Sequence, residues 1–315
     1  MEQHRVCVRR AFDARMHVIS WWAASLERLL GRHSYGSLWP DRLYAQRRYL
    51  DTFGRPLDLR NPATFNEKIQ WLKLYDRRPV MATVADKYAV RQYVLERIGE
   101  EYLNPLLALC SSVDELLDEL PGLPKRFVVK ATHGSGWNVI VKENAVPLSG
   151  CLEQIDGWLS TNYFDLGREW CYEAIPPKLV CEQFIQPMNA HLGLLDYKFF
   201  CFHGLPAFVQ VDVNRFTGHR RNIYDLSWNL LPVEYVYDNS KKEIPQPDHL
   251  HEMIEVAQRL SEDFLFVRVD LYSEDRVIFG EMTFYPENGF GKFRPECYDR
   301  EFGRRLQLPT RLGLA

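Results

Sequence analysis

The residues that suggest chemistry most directly lie near the end of the chain. In Arg268-Val269-Asp270 the two-residue period of a strand places Arg268 and Asp270 on one face, with Val267, Val269 and Leu271 on the other. The same period in Glu281-Met282-Thr283-Phe284 puts Glu281 and Thr283 on one face. A hairpin turning at Ser273–Arg276 would set Asp270 and Glu281 near each other. Neighbouring carboxylates repel unless a cation sits between them. Magnesium takes oxygen ligands and usually keeps phosphates and water in its shell. A metal ion between Asp270 and Glu281 is the expectation; the competing reading is a solvated sheet face paired with Arg268.

Lysines mark other places. Lys130 ends the apolar run Phe127-Val128-Val129 and leads straight into Ala131-Thr132-His133-Gly134-Ser135-Gly136. Backbone N–H groups of such a loop can converge on phosphate oxygens, glycine permits close approach, and the lysine adds a point charge. In a Walker A loop the lysine follows the glycines and a helix follows the lysine, so this is not one. An ordinary hairpin turn accounts for the same residues. Lys178–Ile185 reads as a strand after Pro176-Pro177. It could offer edge groups to a purine, with Glu182 accepting from an exocyclic amine, or be purely structural. Lys198 lies in the aromatic strand Asp196-Tyr197-Lys198-Phe199-Phe200, a costly place for a charge without an anion nearby; a solvent-facing lysine is the alternative. The nine histidines show no HExxH, and no GxSxG elbow occurs.

The elements that must position these residues follow from patterning. Pro62, Thr64 and Glu67 suggest a helix start leading into Lys68–Tyr75. Thr83 and Asp86 suggest a capping box opening a helix that ends near Gly99, with Val84, Tyr88, Leu95 and Ile98 as its buried stripe. Lys87 and Arg91, one turn apart, project from the same side. Asp114–Leu120 and Cys151–Asn162 read as helices, and Leu250, Met253, Ile254, Ala257 and Leu260 give a clear amphipathic one. Hairpins are expected at 127–141, at 197–211 across His203-Gly204-Leu205-Pro206, and at 264–284. The class is α+β with antiparallel hairpins.

Composition sets the bounds. The chain has 315 residues, enough for one large domain or several packed lobes. Apolar residues make up 46% and charged residues 26%, which excludes disorder or coiled coil for the whole chain. A net charge of -3 gives no global pull toward nucleic acid. Seven scattered cysteines without a CxxC pair argue against a disulfide framework or zinc ribbon and for a reducing cytosol. The apolar stretch from His17 to Leu30 contains Glu27 and Arg28 and is too short to span a bilayer. Residues 1–60 hold eleven Arg and no Lys, and Trp21, Trp22, Leu26, Leu29 and Leu30 can share one side of a helix. That helix either packs on the main body or meets a membrane surface or partner.

Taken in order, these motifs resemble the ATP-grasp superfamily, and within it the TupA-like ATP-grasp proteins of bacterial teichuronopeptide and surface-polysaccharide synthesis. The likeness is carried by Pro62–Lys68, Ala85-Asp86-Lys87-Tyr88, Lys130–Gly136, Asp196–Phe202, Arg268–Tyr272 and Gly280–Pro286, over residues 60 to 300. It implies an ATP-grasp fold with ATP held between two α+β lobes: a helical extension at 1–60, an N-terminal lobe at 61–125, a central lobe at 126–186 and a C-terminal lobe at 187–315. Lys87 and Lys130 would contact phosphates under a loop formed by His133, Gly134, Ser135 and Gly136. Glu182 and the backbone at Gln183 and Ile185 would hold adenine, and Lys198 would reach the nucleotide. Asp270 and Glu281 would bind one or two magnesium ions, and Arg268 would stabilise the transferring phosphoryl group. Thr283 stands where many relatives have Asn, so a second ion would rest on water or Asn288. The implied activity is ATP-dependent joining of a sugar acid to an amino acid or small amine through an acyl phosphate, in the cytoplasm, with Lys292 and Arg294 as carboxylate binders or as a solvated loop. A sugar kinase on the same scaffold, a glycosyltransferase and an inactive nucleotide-binding module are the alternatives.

Overall fold

The computed structural model describes residues 40–142, 148–189, 192–213 and 218–309. The apolar segment around Trp21 and Leu30 lies outside them. Helix α1 (Asp41–Phe53) buries Ala45 and Tyr49 and ends at Gly54, whose φ of 68° is the left-handed C-terminal stop that glycine adopts without strain. Helix α2 (Phe65–Tyr75) starts as expected. The Thr64 side chain accepts from the Glu67 N–H while the Glu67 carboxylate accepts from the Thr64 N–H, a reciprocal capping box.

The next expectation fails in detail. Thr83 lies inside helix α3 (Pro79–Ala85), which begins on a proline suited to the first helical turn. Asp86 ends α3, and its Oδ1 accepts from the N–H groups of Tyr88 and Ala89 before helix α4 (Val90–Arg97). Two short helices replace one long one, so the periodicity breaks. Val84 and Ile98 are buried, whereas Tyr88 and Leu95 are exposed.

Strand β1 (Leu106–Cys110) and helix α5 (Val113–Glu119, capped by Ser112) come next. They are followed by β2 (Arg126–Ala131), β3 (Asn138–Lys142), α6 (Leu152–Leu159), α7 (Phe164–Gly167) and β4 (Leu179–Gln183). The four strands form an antiparallel sheet in the order β1-β4-β2-β3. Its apolar face, including Phe127, Val129 and Cys181, packs with Leu116 of α5 and Ile155 and Trp158 of α6.

The remaining chain builds β5 (Asp196–Phe202), β6 (Leu205–Val213), β7 (Arg220–Asp225), β8 (Glu234–Tyr235), α8 (Leu250–Ser261), β9 (Phe266–Ser273), β10 (Val277–Thr283), β11 (Phe293–Arg294) and α9 (Cys297–Arg305). Five of these strands form a second antiparallel sheet, β10-β9-β5-β6-β7, and β8 pairs with β11. On one face Tyr197, Phe199 and Cys201 stand opposite Leu271, Val269 and Val267, and amphipathic α8 packs there through Met253, Ala257 and Leu260.

The other face changes character along its strands. At one end Phe200, Phe202, Phe208 and Phe266 are covered by Phe65 of α2 and Phe302 of α9. At the other end the register aligns Glu281, Asp270, Lys198 and Gln210 across four strands. The hydrophobic half anchors the sheet, and the charged half is left to face a cleft. No helix among the described residues is long and apolar enough to cross a membrane.

Candidate active site in the cleft between the sheets

Strand β9 leaves its turn at Ser273, and β10 returns from Val277 in the expected hairpin. A bulge between Phe279 and Glu281 resets the alternation, so that Glu281 stands opposite Asp270 and Thr283 opposite Arg268. Gly280 sits at the bulge, where a Cβ would lie 2.9 Å from the Asp270 carbonyl oxygen. Strand β5 adds Lys198 on the other side of Asp270.

These groups interlock. Arg268 grips Asp270 with Nε and Nη2, both at 2.7 Å, and the same Nη2 reaches Thr283 Oγ1 at 3.1 Å and Glu281 Oε1 at 3.4 Å. Lys198 Nζ donates to Asp270 Oδ2 and, at 2.6 Å, to Asp196 Oδ2. Asp270 is 1% exposed, a depth at which a carboxylate needs such partners. Burial opposes the charge on Arg268, but Asp270 outweighs it and holds the guanidinium firmly protonated.

A cavity of about 480 Å³ opens on this polar face and is bounded opposite by Lys87, Lys130, Ser135, Gly136 and Asn138. A second cavity, of about 710 Å³, adjoins it and is lined by Glu182, Gln183, Phe184 and Ile185 together with Val128 and Ile140. The two share Lys130, Gly136, Asn138, Asp196 and Tyr272, so they form one cleft between the sheets.

Lys87 and Lys130 line the same cavity. Lys87 Nζ donates to the Gly134 carbonyl. Burial pulls the Lys87 ammonium below its ordinary pKa, with Lys130 adding to the effect and Glu281 and Glu182 opposing it. Lys130 Nζ donates to Glu182 Oε2 at 2.6 Å, and Arg91 approaches the other Glu182 oxygen at 4.0 Å. Burial would raise the Glu182 pKa, but Lys130 and its other partners hold it below the usual carboxylate range.

Several expected residues are placed elsewhere. His133 is 2% exposed, and its Nε2 pairs with the Trp158 carbonyl at 2.9 Å, inside the packing of the small sheet. Gly134 is wedged so that a Cβ would meet Trp137 and Tyr163 at 2.7 Å. The cleft side of the loop is therefore Ser135 and Gly136. The Gln183 N–H donates to Pro105 and the Gln183 carbonyl accepts from Asn104, so its edge groups are already used. Lys292 is exposed and Arg294 pairs with Glu234 and Asp238; neither lines the cleft. Asn288 does line it, yet its amide is taken by Lys73 and the Gly167 carbonyl.

A family model of TupA-like ATP-grasp proteins matches residues 67–307. The chain belongs to this family. Its fold is accordingly the ATP-grasp fold, here with two antiparallel sheets flanking the cleft. Among solved structures, this TupA-like ATP-grasp chain is similar to D-alanine–D-alanine ligase from Bacillus anthracis complexed with ATP, at 16% identity over 76% of this chain and 62% of that one, TM-score 0.39. It is also similar to phosphoribosylamine–glycine ligase from Thermotoga maritima, at 12% identity over 67% of this chain and 51% of that one, TM-score 0.41. The chain thus spans between half and two thirds of the length of these ligases. No curated protein matches it.

Sequence reasoning missed a second set of cleft residues in this TupA-like ATP-grasp protein. Arg221 on β7 binds Asp212 through Nε at 2.6 Å and Nη2 at 3.2 Å, and Glu287 through Nη1 at 2.8 Å. Glu169, in the irregular segment after α7, is 7% exposed and also lines the cavity. Neither group sits in a motif with a recognisable period. Arg221 could have been found from its place in a strand, and Glu169 only from the charged pair Arg168-Glu169 before Trp170.

Proposed function

We propose that this protein is an ATP- and magnesium-dependent ligase that activates a carboxylate as an acyl phosphate and joins it to an amine. The acid is a sugar acid, free, nucleotide-linked or polymeric, and the amine an amino acid or small amine, within surface-polysaccharide assembly. One observation carries the reading: Lys87, Lys130, Lys198 and Arg268 line the same cleft as the carboxylates Asp270 and Glu281. Four cations around a carboxylate pair suit the charge of a triphosphate better than that of a neutral sugar.

The carboxylate pair fits a magnesium ion. An ionised carboxylate offers about four lone-pair sites, and Asp270 uses three, two for Arg268 and one for Lys198. Among the described residues no group of three or more His, Cys, Asp or Glu forms a metal cage. Magnesium needs none, since one or two carboxylates suffice when phosphates complete the shell. Thr283 fits less well because its hydroxyl already accepts from Arg268. Bound at Asp270 and Glu281, the ion would neutralise charge on the β- and γ-phosphates.

The chain's own groups supply the rest. A carboxylate is a poor electrophile at neutral pH, and phosphorylation gives its carbon a good leaving group. The substrate carboxylate attacks the γ-phosphorus in line and ADP leaves. Lys87, Lys130 and Arg268 then face the charge that spreads over the transferred group. Ser135 and Gly136 lie on the side of the cleft opposite Arg268, where a loop can keep water from the acyl phosphate. The adjoining cavity beside Glu182 and Ile185 has the volume for a purine.

A coupled ADP-release screen of sugar acids against amino acids tests the proposal. ADP and phosphate should appear only when both acid and amine are present; phosphate retained on the acceptor would indicate a kinase. Lys130→Ala and Glu281→Ala should each lower ADP formation at least 100-fold while circular dichroism stays unchanged. Full activity in both variants would sink the reading.

A further inference from the structure

The end of the cleft remote from the second cavity holds a carboxylate that the chemistry above leaves unused. Glu169 is 7% exposed and lines the first cavity but not the second. Among the described residues its carboxylate has no hydrogen-bond or ion-pair partner. A buried carboxylate without a partner is costly. One that faces a cavity is therefore suited to a cationic or proton-donating guest.

The cations that line the cleft are committed to groups other than Glu169. Lys130 lines both cavities and donates to Glu182, Lys87 donates to the Gly134 carbonyl, and Lys198 donates to Asp196 and Asp270. Glu169 shares the far end with Glu287 and Asn288, neither of which lines the second cavity. Lys73 on α2 and Arg268 on β9 attract the Glu169 charge, while Glu281 on β10 and Glu287 repel it. Neither cation contacts it: the Lys73 ammonium is spent on Asn288 and the Gly167 carbonyl, and Arg268 on Asp270, Glu281 and Thr283. The other titratable neighbours, Tyr44, Tyr163, Tyr172, Tyr285 and Cys171, are all pushed up by burial and stay neutral around pH 7.

We propose that Glu169 receives the incoming amine, binding its ammonium group and taking its proton as the nitrogen attacks the acyl phosphate. The inference rests on the ligase reading. The ammonium gives one proton to a Glu169 oxygen, the freed lone pair forms the nitrogen–carbon bond, the bond from carbon to the phosphate oxygen breaks with its electron pair going to phosphate, and the second proton shed by the nitrogen leaves on that phosphate as hydrogen phosphate. Burial pushes the Glu169 carboxyl up from the ordinary carboxylate range, against the pull of Lys73, which moves it toward the strength a base working near neutrality needs.

The test offers two nucleophiles to the same acyl phosphate. Hydroxylamine is neutral at pH 7 and needs no base, whereas glycine and L-alanine arrive as ammonium ions. With ATP, magnesium and a panel of hexuronic acids, the wild-type protein should form hydroxamate with hydroxylamine and amide with the amino acids. Glu169→Gln should lower the ratio of amide to hydroxamate by about 100-fold, with more of the loss in kcat than in KM. Raising the pH, which supplies free amine, should recover part of the variant's amide rate, and Glu169→Asp should restore part of it at pH 7. An equal loss of both products, or no loss of amide, overturns the assignment of Glu169. Absence of hydroxamate from the wild-type protein across the panel overturns the ligase reading itself, and the inference with it.

Discussion

Asp212 illustrates how much a single residue in this cleft depends on its partners. It is 2% exposed, gripped by the Arg221 fork and approached by His219 at 3.3 Å. Burial alone would raise its pKa, yet His219 and Arg221 hold the carboxyl far below the usual range. A depressed pKa in the folded state means that the stabilisation is complete above the unfolded value of about 4 and fades as pH falls below it. Asp212→Ala leaves Arg221 buried with Glu287 as its one anionic partner among the described residues, and breaking such a pair costs about 3 kcal/mol. Urea denaturation should therefore show the loss at pH 7, and the gap between variant and wild type should narrow below pH 4. A gap that stays constant with pH would mean that Asp212 contributes packing rather than charge.

At the scale of elements, the hairpin β9–β10 is the piece on which the chemistry turns. Strict alternation from Val277 to Thr283 would not by itself set Glu281 against Asp270. The bulge at Gly280 does so by inserting one extra position. A side chain there would press its Cβ to 2.9 Å from the Asp270 carbonyl oxygen, against backbone that cannot swing away. Gly280→Val should remove the bulge or displace it. We expect ATP-dependent turnover to fall at least tenfold, since small misplacements of reacting groups are that costly. The thermal midpoint should fall by only a few degrees, because the aromatic half of the sheet is untouched. Wild-type turnover in this variant would show that the register of Glu281 does not matter.

For the whole molecule, the cleft is walled by two sheets with separate cores, one built on α5 and α6 and the other on α2, α8 and α9. A ligand that touches both walls stabilises the folded state by mass action, by about 2.7 kcal/mol when present at 100 times its Kd. ATP with magnesium should accordingly raise the thermal midpoint in proportion to the logarithm of its concentration. Lys130→Ala should abolish most of that rise. An unshifted midpoint at millimolar ATP would count against nucleotide binding in this cleft.

Much of this arrangement was legible in the chain itself. Period-2 alternation placed Arg268 with Asp270 and Glu281 with Thr283, because a strand's pleat depends only on local backbone geometry. The Thr64–Glu67 start of α2 and the amphipathic stripe of α8 were equally local. The two-helix break at Asp86 was not, since the extended Asp86 backbone ends one helix while its side chain caps the turn that leads into the next. What only the tertiary structure decided was partnership across distance. Lys130 meets Glu182, Lys198 meets Asp270, His133 turns into a core, and Glu169 comes to face a cavity shared with strands a hundred residues later. Those outcomes follow from which sheet edges pair and which faces are buried. Burial and long-range pairing are properties of the packed molecule, and no spacing along the chain encodes them.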